Sequence, residues 1–447
     1  METEPFLPAA GSPSPDGAPP AAGRARRRLL PSLPAAQWRV LGLVSAASLF
    51  GQYDRAIFAL ALPQIQAGLG IAESQVGALG GVVRLGALPA LALALAADRV
   101  GRRRALLATI LAYTALTGAT AFAPGVATFV ALQTLATTFS HAEVLIGVVV
   151  VAEEFDDAHR GFGIGALFAL QAVGTGLAAA ALPFVDATPL GWRALYLVGL
   201  GPLLLLAWWR RGLPETRRFG VYEAAFRGDG ERRRIPFLAP LRALAREYPG
   251  RVAAMAATVA CSAAGGAAAD FLGAKYLQQA HGWRPSDVTT LYLAGGLVGI
   301  LGSVVAGRAS DRAGRRRLAV GFGGASALLA LAYYNSAGPL LAPSWIGLIF
   351  FVLGWEALLA AYAAELFPTS HRATAAALRL GVGTVFGALG LAAESWLYGV
   401  VGSHWRAVSL LLLLFALAPC VIALTFPETA RRRLEEISPE RAHPEGP

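Results

Sequence analysis

The sequence predicts an all-α membrane protein with twelve transmembrane helices, arranged as two pseudo-symmetric six-helix bundles. Of its 447 residues, 55% are hydrophobic and only 15% are charged, which is far from the composition of a soluble domain. Apolar stretches of about 20 residues recur along the chain, and each is long enough to cross a bilayer. Motifs of the first half return in the second half in the same order, which indicates an internal duplication.

The first bundle is predicted over residues 37–211, after a cytoplasmic tail of residues 1–36 that is rich in Pro, Ala and Gly and is expected to be disordered. Its six predicted spans lie at about 37–62, 73–97, 104–124, 126–151, 161–184 and 192–211.

A polar cytoplasmic linker of residues 212–249 precedes the second bundle, which is predicted over residues 250–426. The six spans of this bundle are expected at about 250–279, 286–309, 316–336, 344–365, 373–400 and 405–426. Residues 427–447 form the predicted cytoplasmic C-terminal tail.

The basic residues predict the orientation of these spans. Most of the 38 Lys and Arg residues lie in the tails, the linker and the loops on one side of the predicted membrane. Short loops rich in Lys and Arg stay in the cytoplasm, so we expect both termini inside and the protein in the inner cell membrane. A net charge of +10 would suggest nucleic acid in a soluble protein. Here orientation explains the charge, and no nucleic-acid partner is expected.

Several motifs recur at one interval. Matching motifs stand 213 residues apart (311 − 98 for the first pair): Asp98 and Asp311, Trp192-Arg193-Ala194 and Trp405-Arg406-Ala407, Pro214-Glu215-Thr216 and Pro427-Glu428-Thr429. Six spans per repeat is an even number, so both halves have the same orientation. Their symmetry axis should therefore run along the membrane normal.

The loops after the second and eighth spans share an Asp, a Gly and clustered arginines. The pattern comprises Asp98, Arg99, Gly101, Arg102 and Arg103 in the first loop, and Gly307, Asp311, Arg312, Gly314 and Arg315 in the second. A loop that only sets the orientation in the membrane would require Arg but neither Asp nor Gly. The two loops resemble the loop signature of the major facilitator superfamily.

Two further motifs resemble the sugar porters and organic-ion transporters of that superfamily. They are Glu365-Leu366-Phe367-Pro368-Thr369 with Arg372, and Phe426-Pro427-Glu428-Thr429. The fourth span carries Gln133 where many relatives have Arg, and the seventh lacks the paired Gln of sugar porters, which argues against glucose-like sugars. The resemblance implies a monomeric transporter that alternates between two facings. It also implies that the two Asp-Arg-Gly loops clamp the cytoplasmic side in the outward-facing state.

The cytoplasmic segments predicted to take part in this clamp are Glu153 with Arg160 and Glu365 with Arg372. The first loop has Ala94 where the second has Gly307, so we expect its helices to approach each other less closely.

Charged side chains deep in a membrane are costly, so each is a candidate for function. Asp54 and Arg84 lie at similar depth in the first two spans, and we expect them to face each other across a central cavity. They could hold a ligand and a proton, or form a structural ion pair. Glu143 and Glu356 lie in mid-span at nearly matching repeat positions, and burial would suit them to carry a proton. The alternative for each is a hydrogen bond between helices.

Two more intramembrane positions are candidates for the pathway. Asp270 shares the seventh span with Lys275, and a salt bridge at the outer gate and contact with the ligand are both open. Gln133 is also assigned to the pathway. Arg379 is expected to extend to the cytoplasmic edge. The sequence contains no metal-ligand cluster, nucleotide-binding loop or nucleophile–base motif, so we expect no cofactor, no metal and no enzymatic activity.

The function predicted from these features is secondary active transport of a small polar or anionic organic solute, by alternating access and coupled to protons. Protonation of Asp54 or of a mid-span Glu would change the relative stability of the two facings. Two alternatives are efflux of amphipathic compounds and a transporter-like membrane sensor. A sensor should carry a soluble output domain, and the linker and tails offer none.

Overall fold

The computed structural model of the chain describes residues 33–210, 239–368, 371–432 and 437. Twelve long helices, α1 to α12, run through these residues, and no strand is present there. In order they are Ala35–Leu60, Val76–Leu85 continued by Ala87–Val100, Arg102–Thr120, Val126–Glu154, Asp157–Ala181, Trp192–Arg210, Pro249–Lys275, Pro285–Ala313, Arg315–Asn335, Leu341–Glu365, Arg372–Val401 and His404–Thr425.

Ten helices in this part of the chain are long and apolar enough to cross a membrane. The remaining two, α1 with 26 residues and α3 with 19, are long enough but more polar. Both pack inside the first bundle, α1 against α5 and α3 against α4 and α6. They therefore complete the predicted set of twelve helices.

The packing repeats between the two halves. The contact of α1 with α5 recurs as α7 with α11, and that of α3 with α6 recurs as α9 with α12. The bundle α1–α6 meets the bundle α7–α12 through α2 with α11, α5 with α8, and α1 with α7. Exchange of the two halves converts the first of these contacts into the second, so the pseudo-symmetry predicted from the motifs is present.

Single glycines connect the helices at the two predicted loops. Gly101 (φ 103°) lies between α2 and α3, and Gly314 (φ 104°) lies at the matching place between α8 and α9. Residues other than glycine rarely adopt such backbone angles. We call the end of the molecule that contains these two loops the arginine-rich end, and the opposite end the arginine-poor end.

Among the described residues, the apolar core joins the two bundles at the arginine-poor end and not at the other. A large cluster contains residues of both bundles, among them Ile57 and Ile65 of the first and Leu272 and Leu277 of the second. A smaller cluster, which includes Val40, lies wholly in the first bundle at its arginine-rich end.

Much of the predicted tails and linker lies outside the described residues, namely positions 1–32, 211–238, 433–436 and 438–447. Within the predicted linker the helix Ala239–Glu247 is described, and it packs against α7 and α11.

Candidate binding site and gates

Arg55 lies in the second half of α1, where its hydrogen-bond partners are neutral and Asp54 acts on it electrostatically. Its Nη1 donates to Ser140 Oγ of α4 at 2.8 Å, and its Nη2 donates to Gln52 Oε1 at 2.6 Å. Gln52 in turn donates to Thr175 Oγ1 of α5 at 3.2 Å. Arg55 forms no ion pair with any described residue, so its positive charge is left without a bound carboxylate.

Arg84 of α2 reaches across to α11 of the other bundle. Its guanidinium lies against Gly387, where an added Cβ would stand 2.4 Å from Nε, and its Nη2 is 3.5 Å from the carbonyl oxygen of Gly383. Asp270 of α7 and Glu356 of α10 act on it electrostatically, but within the described chain no carboxylate forms an ion pair with it. Its Nε is buried and has no hydrogen-bond partner there.

His141 of α4 lies within electrostatic range of both arginines. Its Nδ1 is 3.0 Å from the carbonyl oxygen of Thr137, an acceptor, so Nδ1 carries the hydrogen. The centre of the molecule thus holds two guanidinium groups beside a histidine. Such a group of donors matches a carboxylate, which can accept several charge-assisted hydrogen bonds.

The predicted contact between Asp54 and Arg84 is wrong. Asp54 is 4% exposed and accepts a hydrogen bond from Thr117 Oγ1 of α3 at 3.3 Å. Successive residues of an α-helix point about 100° apart, so Asp54 faces the interior of the bundle while Arg55 takes the central face. The sequence did not reveal which of the two neighbours does so, and Arg55 was therefore missed. Gln133 is also inside the first bundle, where it donates to Thr120 Oγ1 at 3.2 Å.

The two mid-span glutamates have different surroundings. Glu143 is buried and accepts a hydrogen bond from Thr109 Oγ1 of α3 at 2.6 Å, which is the helix-to-helix contact considered as its alternative. The side chain of Glu356 is 53% exposed and pairs with Arg379 of α11 at 3.5 Å. The burial on which the prediction for Glu356 rested is absent. Arg379 pairs with Glu356, contrary to the expectation that it extends to the membrane edge.

A cluster of charged groups joins the bundles near the arginine-poor end. Lys275 of α7 is fully buried, and its Nζ donates to Gln66 Oε1 at 2.6 Å and to Glu73 Oε2. Gln66 and Glu73 belong to the segment between α1 and α2. Of the two open roles for Asp270 and Lys275, a salt bridge between them is not formed, because Lys275 pairs with Glu73.

His404, the first residue of α12, extends this cluster. Its Nε2 is 2.9 Å from Glu73 Oε2, and its Nδ1 is 2.5 Å from Glu394 Oε1 of α11. Gln64 Nε2 donates to Gln278 Oε1 at 2.7 Å in the same region. These contacts between the two bundles lie at the level of Arg84 or closer to the arginine-poor end.

Two glycines allow α2 to approach α11 closely beside this cluster. A Cβ on Gly77 would stand 2.4 Å from the carbonyl oxygen of Leu391 and 2.4 Å from Glu394 Oε2. A Cβ on Gly81 would stand 2.9 Å from the carbonyl oxygen of Ala388. Glycines four residues apart place the two backbones in direct contact, which closes this end of the molecule.

At the arginine-rich end, two groups of charged residues each form pairs inside one bundle. Arg102 pairs with Glu153 at 2.9 Å in the first bundle. In the second, Arg315 pairs with Glu365 at 2.6 Å and with Asp311 at 3.1 Å. The side chains of Asp98, Arg99 and Arg160 lie outside the described set. Arg372 Nε donates to the carbonyl oxygen of Ala364 at 3.0 Å.

The structure also shows the surroundings of Gly307 and of the repeated Pro-Glu-Thr motif near these loops. A Cβ on Gly307 would meet nothing within 4 Å, so Gly307 does not provide the close helix approach on which the expected difference from Ala94 rested. Glu428 of the repeated Pro-Glu-Thr motif accepts backbone N–H groups of Arg315 at 2.7 Å and Arg316 at 3.2 Å, the first turn of α9. Partial burial raises the pKa of Glu428, but these bonds and that from Ala430 outweigh it and hold the pKa below its usual range.

Two six-helix bundles that meet around a polar centre, closed at one end, define an integral multi-pass membrane protein built to pass a solute between its halves. Residues 44–357 match the sequence profile of the Major Facilitator Superfamily, and the chain belongs to that superfamily. The expectation of a transporter and not an enzyme is confirmed by this membership.

Two relatives and a solved structure are consistent with this membership. The chain is 25% identical to the "Probable 4-methylmuconolactone transporter" of Cupriavidus pinatubonensis, over 88% of this chain and 90% of the relative. It is 27% identical to the "Gallate transporter" of Pseudomonas putida, over 89% and 93%. The inward-open structure of the xylose transporter XylE from E. coli is similar in fold, with a TM-score of 0.70 at 15% identity over 90% of this chain and 99% of that one.

Proposed function

We propose that the protein carries a small organic carboxylate across the membrane by alternating access, coupled to protons. The observation that supports this most is the pair Arg55 and Arg84, two cations inside long transmembrane helices without an ion-pair partner among the described residues. Unpaired charges in such a place are costly. A bound carboxylate would supply the missing negative charge and accept the free donors of Arg84.

The relatives support a ring-bearing carboxylate. Gallate is an aromatic carboxylate, and another relative is the "Putative niacin/nicotinamide transporter NiaP" of Bacillus subtilis, 25% identical over 90% of this chain. Niacin is also a ring with one carboxylate. In this chain the ring of Phe271 lies against Gly80, one helical turn before Arg84, so an aromatic surface is available beside the cation.

We further propose that the arginine-rich end faces the cytoplasm of the inner membrane, because loops rich in arginine are retained there. The conformation described is then inward-facing, since the bundles are joined at the arginine-poor end. In the outward-facing state we propose that the two arginine-rich loops close against each other, as the resemblance of their motifs implies.

The experiment compares ligands that share a ring but differ in charge. Binding of nicotinate and nicotinamide to purified protein would be measured by calorimetry, with gallate and xylose as further ligands. We expect nicotinate and gallate to bind and nicotinamide and xylose to bind far more weakly. Losing a hydrogen bond to a charged group costs about 1.5–3 kcal/mol, so Arg55→Gln and Arg84→Gln should each weaken carboxylate binding by about tenfold or more.

Arg379→Gln is the matched control, because Arg379 already pairs with Glu356 and should tolerate the change with little loss of binding. Equal binding of nicotinate and nicotinamide, or full binding by both central variants, would contradict the proposal of an anion site.

A further inference from the structure

We infer that Glu73, His404 and Glu394 together bind a proton that closes the arginine-poor end of the transporter. This inference rests on the proposed proton coupling and assigns the proton to a site that the sequence did not suggest. We call these three residues the gate triad. Glu73 belongs to the first bundle, and His404 and Glu394 belong to the second.

The number of protons follows from the contacts of His404. Both ring nitrogens face carboxylate oxygens, Nε2 at 2.9 Å from Glu73 and Nδ1 at 2.5 Å from Glu394. A carboxylate only accepts hydrogen bonds, and a neutral imidazole carries a single N–H. Two such contacts therefore need two hydrogens, so the closed triad holds one proton more than a neutral histidine between two carboxylates.

The surrounding charges favour retention of this proton. Lys275 contributes one positive charge to Glu73, so without the extra proton two carboxylates would share one cation. Glu394 is fully buried, and its Oε2 has no hydrogen-bond partner among the described residues. A buried carboxylate in excess of the available cations is costly. With the proton bound, whether on His404 or on Glu394, the cluster is neutral.

Among the described residues, the other groups that contact the triad are uncharged. The ring of Tyr398 of α11 stacks on the imidazole of His404, with centroids 4.1 Å apart, and Tyr334 of α9 lies within electrostatic range of Glu394. Ser395 of α11 binds the backbone N–H of Ala78. Glu73 is half-exposed at the molecular surface, which gives protons a route to His404 from the arginine-poor side.

Opening this end removes the need for the proton. Separation of the bundles carries Glu73 away from His404, while His404 and Glu394 stay together in the second bundle. Nε2 can then accept a hydrogen bond from water, and the single N–H of a neutral imidazole can serve Glu394. The closed state therefore binds one more proton than the open state. By linkage, acid favours closure, and this preference is lost as the pH rises.

The test measures closure directly, without any substrate. Spin labels would be placed at Ala187→Cys of the first bundle and Ala337→Cys of the second, both exposed at the arginine-poor end. The native Cys261 and Cys420 would first be replaced by Ser. Double electron–electron resonance would then give the fractions of open and closed protein between about pH 5.5 and about pH 8, the range in which histidine titrates. We call this the gate-distance assay.

For the unmodified triad, the ratio of closed to open protein should fall by up to about tenfold per pH unit, as expected for one linked proton. Glu394→Gln supplies a permanent donor to Nδ1, so this variant should remain closed at every pH. His404→Gln should show no dependence on pH. His281→Gln, a second histidine near the same end with no ion pair among the described residues, should keep the dependence of the parent protein.

A pH-independent distance in the parent protein, or an unchanged pH dependence in Glu394→Gln, would overturn the inference. The outcome is separable from the proposed function, because no ligand is present in the gate-distance assay. Failure to bind carboxylates would leave the gate triad intact, and failure of the gate triad would leave the central anion site intact.

Discussion

The two ends of the molecule differ in where their charged side chains find partners. At the arginine-poor end Glu73 binds Lys275 and His404 of the opposite bundle. At the arginine-rich end Arg315 binds Glu365 of its own bundle. The apolar core follows the same division, because in the described part of the chain it is continuous between the bundles only at the arginine-poor end. Contacts within a bundle keep it rigid in every state, whereas contacts between bundles exist in one state and decide its population.

Lys275→Met is expected to change the ratio of closed to open protein more than any other variant considered below. The change removes the buried cation and its bond to Glu73. A hydrogen bond to a charged group contributes about 1.5–3 kcal/mol, so the gate-distance assay should show a shift toward the open state of about tenfold or more. Adding Glu73→Gln should restore part of the closed population, because it removes the uncompensated carboxylate. An unchanged distance distribution in Lys275→Met would show that this cluster does not hold the arginine-poor end closed.

A second change acts on packing at the same end. Gly77→Ala would place a methyl group 2.4 Å from the Leu391 carbonyl oxygen, so α2 must move away from α11. Overpacking costs about 1–3 kcal/mol, and the open state should gain at the expense of the closed one. Gly296→Ala on α8 is the control, because its added methyl would meet nothing within 4 Å. Equal distances in the two variants would mean that the α2–α11 contact does not hold the gate.

At the arginine-rich end a comparable change should leave the gate in place. Arg315→Gln breaks the pair with Glu365 inside the second bundle. We expect the melting temperature to fall, by an amount that corresponds to about 1 kcal/mol for a partly exposed pair. The gate-distance assay should show no shift in this variant. A shift as large as that of Lys275→Met would erase the distinction between the two ends.

The smallest effect concerns Glu428, which accepts the first N–H groups of α9. Loss of such a cap costs about 1 kcal/mol. The pKa of Glu428 is lowered in the folded protein, so its contribution is fully present above the unfolded value of about 4.3 and is lost as the pH falls through the folded value. Melting temperatures of the parent protein and of Glu428→Gln should therefore differ at neutral pH and converge in acid. A difference that persists in acid would contradict this role.

The fold could be predicted from the sequence because its signals are local or periodic. Span lengths and the interval between repeated motifs fix the number and the symmetry of the helices. The equivalence of Gly101 and Gly314 extends to the backbone, with φ of 103° and 104°. The pair Arg315–Asp311 was accessible for the same reason, since both residues belong to one short motif.

The site could be predicted only in part, because neighbours on a helix face different ways. Asp54 and Arg55 are adjacent in sequence, and nothing in the composition of α1 shows which faces the centre. The gate triad was missed for another reason. Glu73 and His404 are separated by 331 residues, and no spacing rule connects them. The available signal was that ionisable residues recur near the same ends of α2, α7, α11 and α12.

The most direct test of a closed arginine-poor end and an open arginine-rich end is access to the centre. In protein without Cys261 and Cys420, a cysteine introduced by Glu356→Cys replaces a side chain that is 53% exposed. A membrane-impermeant maleimide would be applied to proteoliposomes of known orientation, from one side at a time. We predict that the cysteine reacts from the arginine-rich side, and that Lys275→Met adds reaction from the other side. Reaction of the Glu356→Cys protein that keeps Lys275 from the arginine-poor side alone would contradict the proposed arrangement.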